Sequence, residues 1–267
     1  MKRLILALVM GLLPSVAMAA FPQVASVTPS QFSSAATSHS VAFPATVNAG
    51  DLLIILAASS NTGNQNPAAS GFTSIGESNR VYVLVKIAAG TEGGSSVNLT
   101  VTNSSTAAAQ VIRVTDWFGD LAGVELSTAN SVGGSPAANP PSETASWGAE
   151  DNLWLACMGA AGDVTVTSGA PTDYTDLAEV TSGGGAAMVA HSQRELASAT
   201  DDPTQYIINV GTINRSYTIV IRPGSAPAPS TGNFFLLFGN NIVSPLYLAA
   251  LYLVAVGRVC LTKNRHQ

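Results

Sequence analysis

Between residues 20 and 223, apolar side chains recur with the two-residue period of β-strands, and the period of an amphipathic helix is missing. Residues 97–102 alternate apolar and polar side chains, as a half-buried strand requires, and residues 216–222 nearly do so. Residues 51–57 and 80–86 carry unbroken apolar runs, which are typical of strands buried on both faces. Turns rich in glycine separate these segments. The pattern predicts an all-β fold, which we interpret as a jelly-roll-like antiparallel β-sandwich.

The central region also contains a weak internal repeat. An acidic turn leads into an apolar strand at Asp51–Ile55 and again at Asp151–Leu155, an offset of about 100 residues. Each half continues with an aromatic-bearing loop, a second apolar strand and a closing strand. Either two similar halves form one large sandwich, or the chain holds two small domains. The halves are about residues 38–120 and 145–223, joined by the Pro-, Ala- and Ser-rich segment 131–147.

The first 19 residues have the features of an export signal. Lys2 and Arg3 precede the apolar stretch 4–16, and residues 17–19 fit the small-x-small cleavage rule. The apolar stretch is shorter than the roughly 20 residues that a membrane-spanning helix needs. We therefore expect residues 1–19 to be a cleaved signal peptide, the alternative being an uncleaved anchor.

The C-terminal residues combine a spacer, an apolar stretch and a basic tail. Residues 224–233 are rich in Pro, Ala and Ser, as linkers are, and residues 234–261 are long enough to cross a bilayer as a transmembrane helix. Because cations stay on the cytoplasmic side, we expect the tail 262–267 inside and the body 20–223 outside. Two alternatives remain open: the apolar stretch is a strand hairpin of the body, or a membrane protease removes it after export.

The body is poor in charge and acidic. Its sixteen Asp and Glu residues stand against six Lys and Arg residues, a net charge of −10. Such a surface has no electrostatic footprint for nucleic acid, and the charge keeps an exported protein dispersed. We therefore predict no nucleic-acid partner. The expected partners are the membrane, through the C-terminal helix, and a surface glycan or another protein.

The sequence offers no residue set with the spacing of a catalytic centre. His39 and His191 are far apart, Cys157 lies in an apolar run, and all three are interpreted as structural. A hydrolytic nucleophile elbow and a phosphate-binding loop with lysine are both missing from the sequence. We predict no catalytic residue, no metal ligand and no cofactor.

Three weaker classes of candidate were considered. Carboxylates that could hold calcium, although they are better explained as turn residues, are Asp173, Asp176, Asp201 and Asp202. Aromatic side chains that could stack on sugars, although core packing explains them better, are Phe72, Trp117, Phe118, Trp147, Trp154 and Tyr174. Matches to the N-glycosylation pattern begin at Asn98, Asn103 and Asn214.

Eight short motifs stand out in the body, at residues 49–53, 71–73, 88–92, 146–154, 183–185, 194–196, 202–203 and 219–223. Together they resemble a largely uncharacterised family of β-sandwich domains found in bacteriophage, prophage and bacterial surface proteins. The resemblance covers turns and core strands, so it implies a fold and a particle-surface or cell-surface role. It brings no catalytic residues. A signal and an anchor of its own set this chain apart from many such sequences and favour a membrane-attached role.

These features together predict a non-enzymatic, membrane-anchored structural or adhesion module outside the cytoplasm. One alternative is a minor coat or host-attachment protein of a phage, made as a membrane-inserted precursor. A less favoured alternative is a glycoside-active enzyme, which would need two carboxylates facing each other across a cleft.

Overall fold

The computed structural model describes residues 20–224 except 62, 64, 79, 128 and 129, and two short strands further on. The first half of the body contributes β1 (Gln23–Ala42), β2 (Leu52–Ser59), β3 (Ala68–Ala69), β4 (Thr73–Ser78), β5 (Val81–Ile87) and β6 (Ser96–Thr115). The second half contributes β7 (Val124–Leu126), β8 (Asn130–Ala138), β9 (Glu143–Thr144), β10 (Glu150–Ala161), β11 (Thr175–Thr181), β12 (Ala187–Ser198), β13 (Thr200–Asp201) and β14 (Tyr206–Ile221). A single 3-10 turn, Leu121–Gly123, lies between the halves, and the described residues contain no α-helix.

Each half of the body builds one antiparallel sheet. Both halves extend beyond the expected bounds of about 38–120 and 145–223, because β1 begins at Gln23 and the joining segment 131–147 carries most of β8 and all of β9. Sheet 1 has the strand order β1-β6-β2-β5-β4, and sheet 2 has the order β11-β12-β10-β14-β7, with β8 also paired to β14. The central strands β2 and β10 occupy equivalent places, as do β5 and β12, and β6 and β14. The predicted all-β sandwich is confirmed. Its connectivity differs from a jelly roll, in which Greek-key crossings divide the strands between the sheets, because here each sheet is completed by one continuous stretch of chain.

The two sheets pack face to face on a shared apolar core. The inward side chains of β2, β5 and β6 meet those of β10, β12 and β14, among them Leu52, Ile54, Leu155 and Ile219. Gly159 on β10 permits this approach, because a Cβ there would lie 2.5 Å from Cγ2 of Val81 on sheet 1. Any larger residue would have to push the sheets apart.

The outer face of each sheet is covered by the sheet's own long strands. In sheet 1, the last part of β1 and the first part of β6 turn back, so that Val41 and Leu99 pack on Leu53 and Ile55 of β2. In sheet 2, the first part of β14 turns back with β8, and its residues join a cluster around Trp154. The unbroken apolar runs of β2 and β10 follow from this arrangement, since both faces of each strand are buried.

Both ends of the described body lie at the same end of the sandwich. Gln23 pairs with Thr115, and two residues later Trp117 forms a bridge with Pro223. We call this the near end. The opposite, far end carries the β4–β5 turn and the β11–β12 turn, beside the positions where β2 and β10 finish.

The predicted terminal segments fall almost wholly outside the described residues. The signal peptide 1–19 and the tail 262–267 are not among them. Within the expected anchor 234–261, the structure shows two antiparallel strands, β15 (Leu237–Phe238) and β16 (Asn241–Ile242), where the sequence predicts helix. Within the described part of the chain, no helix is long and apolar enough to span a membrane.

Candidate functional site

The acidic turn that opens β2 is fixed by a buried ion pair at the near end. Arg113 Nε donates to Asp51 Oδ2 at 2.5 Å, and the same carboxylate oxygen accepts the Asn48 backbone N–H at 2.6 Å. Trp117 Nε1 donates to the carbonyl oxygen of Gly50 at 2.8 Å. These bonds hold the start of the central strand against the end of β6, and they leave the Asp51 carboxylate engaged within the protein.

The turn after β5 is organised by Glu92. Its carboxylate accepts backbone N–H groups from Ala89, Gly90 and Thr91 at 2.9–3.0 Å, and Lys86 Nζ lies 2.7 Å from Oε1. Burial alone would raise the pKa of this carboxyl. The bonds from Lys86 and the amides outweigh burial and lower the pKa to about 2. Glu92 is therefore an ionised structural anchor of the turn.

The corresponding end of sheet 2 carries a stacked arginine. Arg222 binds Glu150 through two parallel hydrogen bonds of 2.9 and 2.7 Å. Its guanidinium Cζ lies 4.5 Å from the ring centroid of Phe118 and 5.9 Å from that of Trp147. Phe118 remains 40% exposed, and it is the only one of the six aromatic candidates that is classed as exposed. Its ring is already used by the arginine, which weakens its candidacy for stacking on a sugar.

The other aromatic candidates lie in the core or against its edge. Trp154 is fully buried, with Nε1 donating to the Leu196 carbonyl at 3.2 Å, and Trp117 is buried as described above. Trp147 is half-buried and donates to Asn152 Oδ1 at 2.8 Å. Phe72 is half-buried and stacks on Phe43 with 6.1 Å between ring centroids. The core interpretation of these residues therefore holds.

Three of the four calcium candidates, Asp173, Asp176 and Asp201, are bound to other side chains. Arg194 Nη1 donates to Asp201 Oδ1 at 2.9 Å, and Tyr174 Oη donates to the other oxygen of that carboxylate. Arg194 Nη2 also reaches Asp173 Oδ2 at 3.4 Å. Burial first, and then the bond to Asp201, raise the pKa of Tyr174. Asp173 has a φ angle of 65° and lies in a turn, as interpreted from the sequence. The turn interpretation is wrong for Asp176, which has a φ angle of 54° and lies within β11 at a register shift between Thr175 and Ala178.

Asp176 accepts from Gln193 Nε2 at 2.7 Å, and Asp202 is exposed. Over the described residues, no three His, Cys, Asp or Glu side chains are grouped so that they could hold a metal ion. The buried carboxylates Asp51, Glu92 and Asp201 each face a cation of the protein, not a second carboxylate across a cleft.

The two histidines and the cysteine are buried. His191 Nδ1 lies 2.6 Å from Gln110 Oε1, which joins sheet 2 to sheet 1 within the core. Burial lowers the pKa of His191 to about 4, and burial also lowers the pKa of His39. Burial raises the pKa of the Cys157 thiol. These properties favour neutral, unreactive side chains.

Of the glycosylation matches, Asn98 and Asn103 are exposed on β6. Asn214 is 1% exposed, and its Nδ2 donates to the carbonyl oxygens of Ser135 and Ala137, each at 3.3 Å. The folded protein therefore offers the first two positions to a glycosylating enzyme and withholds the third.

The far end contains a polar group that sequence inspection did not single out. Arg215 on β14 is only 7% exposed, and its Nε donates to Ser78 Oγ on sheet 1 at 3.1 Å. Arg80 follows two residues after Ser78, in a turn closed by a 2.5 Å bond from Arg80 N to the Ser78 carbonyl. Beside this group, Val210 and Ile213 are 48% and 40% exposed on the bend of β14. In the sequence, Arg80 and Arg215 are distinguished only as two of the six cations of the body.

Comparison of the chain with protein-family models, with curated proteins and with solved structures gives no match. The geometry of the chain itself therefore carries the functional argument.

Proposed function

We propose that this protein is a non-enzymatic display module, exported and held at a membrane by its near end, with the far end directed outward. The observation that carries the proposal is that the described chain enters and leaves at one end. Gln23 and Pro223 pair with residues only two positions apart, Thr115 and Trp117. A body attached at that end exposes the opposite turns to any partner.

The sequences beyond the two exits support the same arrangement. An export signal precedes the body, and a spacer, an apolar stretch and a basic tail follow it. We propose the anchor on these sequence features, and the resemblance to surface β-sandwich domains agrees with them. Core residues pack on both faces of the central strands β2 and β10, and such packing makes the body rigid, as a display module requires.

The chemistry of the near end supports a structural role there. Asp51 and Glu150 bind Arg113 and Arg222 within the protein, Trp117 is buried, and Phe118 stacks on Arg222. Such an end holds the exit strands firmly, which an attachment point requires.

Cysteine labelling of spheroplasts tests the topology. The full-length chain carries Cys260→Ser together with either Ser104→Cys, on an exposed position of β6, or Asn264→Cys, in the basic tail. A membrane-impermeant maleimide is expected to label the Ser104→Cys protein on intact spheroplasts. The Asn264→Cys protein should react only after permeabilisation. Cys157 serves as the internal background, because it is fully buried.

A chain ending at Gly224 supplies the second arm of this test. We expect it to be exported and released, whereas the full chain stays with the membrane fraction. If the Ser104→Cys protein is labelled only after permeabilisation, the body is inside the cell and the proposed function is wrong.

A further inference from the structure

The six basic side chains of the body fall into two groups. Four have a carboxylate oxygen within 4.0 Å, namely Lys86, Arg113, Arg194 and Arg222. The other two, Arg80 and Arg215, have none among the described residues. Acidic side chains outnumber basic ones sixteen to six in the body. A shortage of carboxylates therefore does not explain why two arginines have no ion-pair partner.

The two unpaired arginines are neighbours, although they come from different sheets. Arg215 reaches across from β14 to Ser78 Oγ, and Arg80 lies in the tight turn that begins at Ser78. Burial first, and then the positive charge of Arg215, lower the pKa of the Arg80 guanidinium. Both cations therefore lie close to Ser78 at the far end, and among the described residues neither has a carboxylate oxygen within 4.0 Å.

Most of their hydrogen-bond donors have no partner among the residues that the structure describes. A guanidinium has five N–H donors. Arg215 uses one on Nε and one on Nη1, the latter to the Asn214 carbonyl at 2.9 Å, and Arg80 makes a single long bond of 3.4 Å to the Ser60 carbonyl. Glu77, on the same strand as Ser78, lies beyond ion-pair distance of both. Its Oε1 accepts the backbone N–H groups of Gln65 and Asn66.

We propose that Arg80 and Arg215 form a binding site for one small oxyanion group, a carboxylate, sulfate or phosphate, carried by a molecule that the far end meets. Paired guanidinium groups match the geometry of such groups through charge-assisted bonds. The net charge of −10 on the body disfavours a long polyanion, so the site suits a single anionic group. The inference rests on the proposed function only in assuming that the far end is displayed outward, where it can meet such a molecule. Binding itself is a property of the purified protein.

Isothermal titration calorimetry of the purified full-length chain tests the site. The probes are inorganic phosphate, sulfate and glucuronate at constant ionic strength, with glucose as the neutral reference. Saturable binding is expected for at least one of the three anions and not for glucose. Comparing phosphate and sulfate with glucuronate distinguishes a phosphorylated or sulfated ligand from an acidic sugar.

Three variants locate the binding. Arg80→Gln removes a half-buried cation, and Arg215→Lys keeps the buried charge while removing most of the fork. Arg194→Gln is the matched control, because it removes one cation that is already paired. We expect the Kd to rise at least about tenfold in the first two variants, the cost of one charge-assisted bond, and to change little in the control.

Two results would overturn the site. One is the lack of saturable binding for all three anions, and the other is equal weakening in Arg194→Gln, which would mean that only overall charge matters. Circular dichroism verifies that each variant is folded, and Arg80→Gln decides the question if Arg215→Lys is not. Because the labelling of spheroplasts does not involve anions, failure of this inference and failure of the proposed function are separate outcomes.

Discussion

Burial of His191, which is hydrogen-bonded to Gln110, makes the stability of the sandwich depend on pH. Both side chains are 1% exposed, and the bond of 2.6 Å joins β12 of sheet 2 to β6 of sheet 1. Because the Gln110 oxygen can only accept, Nδ1 of the histidine carries the hydrogen. Protonating the ring would place a positive charge in the apolar core between the sheets.

The size of the effect follows from the pKa of His191. Burial is the larger influence and lowers the pKa from 6.5 to about 4 in the folded chain, although the charge of Asp176 acts in the opposite direction. Below pH 6.5 the unfolded chain therefore binds a proton that the folded chain does not. Relative to neutral pH, the free energy of unfolding falls by about 2 kcal/mol at pH 5 and by about 3 kcal/mol at pH 4. Below about pH 4 the protonation of His191 causes little further loss of stability.

Urea unfolding at a series of pH values, followed by tryptophan fluorescence, measures this loss. The comparison is between wild type and His191→Gln, whose amide retains a hydrogen bond but does not titrate. His39, whose pKa burial also lowers, destabilises both proteins in the same direction, so the difference between the two curves isolates His191. The reasoning is wrong if the two curves run parallel between pH 7 and pH 5, within about 0.3 kcal/mol.

Three further predictions concern the core and the near end. Gly159→Ala should destabilise the protein by about 1–3 kcal/mol in urea unfolding, because its methyl group meets Val81; adding Val81→Ala should restore part of the loss, and an unchanged midpoint in the single variant would contradict the close contact. Asp51→Asn should cost about 3 kcal/mol by leaving Arg113 buried without its partner, whereas Asp151→Asn, at a half-buried position without an ion pair, should stay within about 0.5 kcal/mol; equal losses would deny the ion pair its role. In a Cys260→Ser background, Cys157 should resist Ellman's reagent until urea unfolds the chain, and fast reaction in the native state would show that the core opens.

The central strands could be predicted because burial on two faces requires an unbroken run of apolar residues, which is visible in the sequence. The apolar runs at residues 51–57 and 80–86 lie on β2 and β5, where one face meets the other sheet and the second face meets the turned-back strands. The internal repeat was also informative, since both halves adopt one strand order. Its register needed correction by one residue. Leu52 faces Val114 as Leu153 faces Ile221, so Asn152, not Asp151, takes the place of Asp51.

The long outer strands could not be predicted from local pattern. β1 is rich in Ser and Thr, and most of its side chains are exposed or half-buried, so its sequence has no clear alternation. It is a strand because it pairs with β6, a partner tens of residues away. The arginine pair at the far end depends in the same way on how one sheet lies on the other. Nothing in the residues around Arg80 indicates that Arg215 is close.

The ion pairs of the described body lie within one half or the other. Every ion pair of the described body joins residues of one half, Lys86–Glu92 and Asp51–Arg113 in the first, and Arg194 and Arg222 with their carboxylates in the second. Among the described residues, the ion pairs therefore do not link one half to the other. The far-end arginines are different, because Arg80 belongs to sheet 1 and Arg215 to sheet 2.

A site made in this way depends on the alignment of the sheets. The contact of Gly159 with Val81 and the bond of His191 to Gln110 fix that alignment from within the core. A change that shifts one sheet against the other should thus weaken anion binding at the far end, even when both sheets and all the near-end ion pairs stay intact. Gly159→Ala tests this dependence because it alters no residue of the site, and we expect it to weaken anion binding as well as to lower the stability.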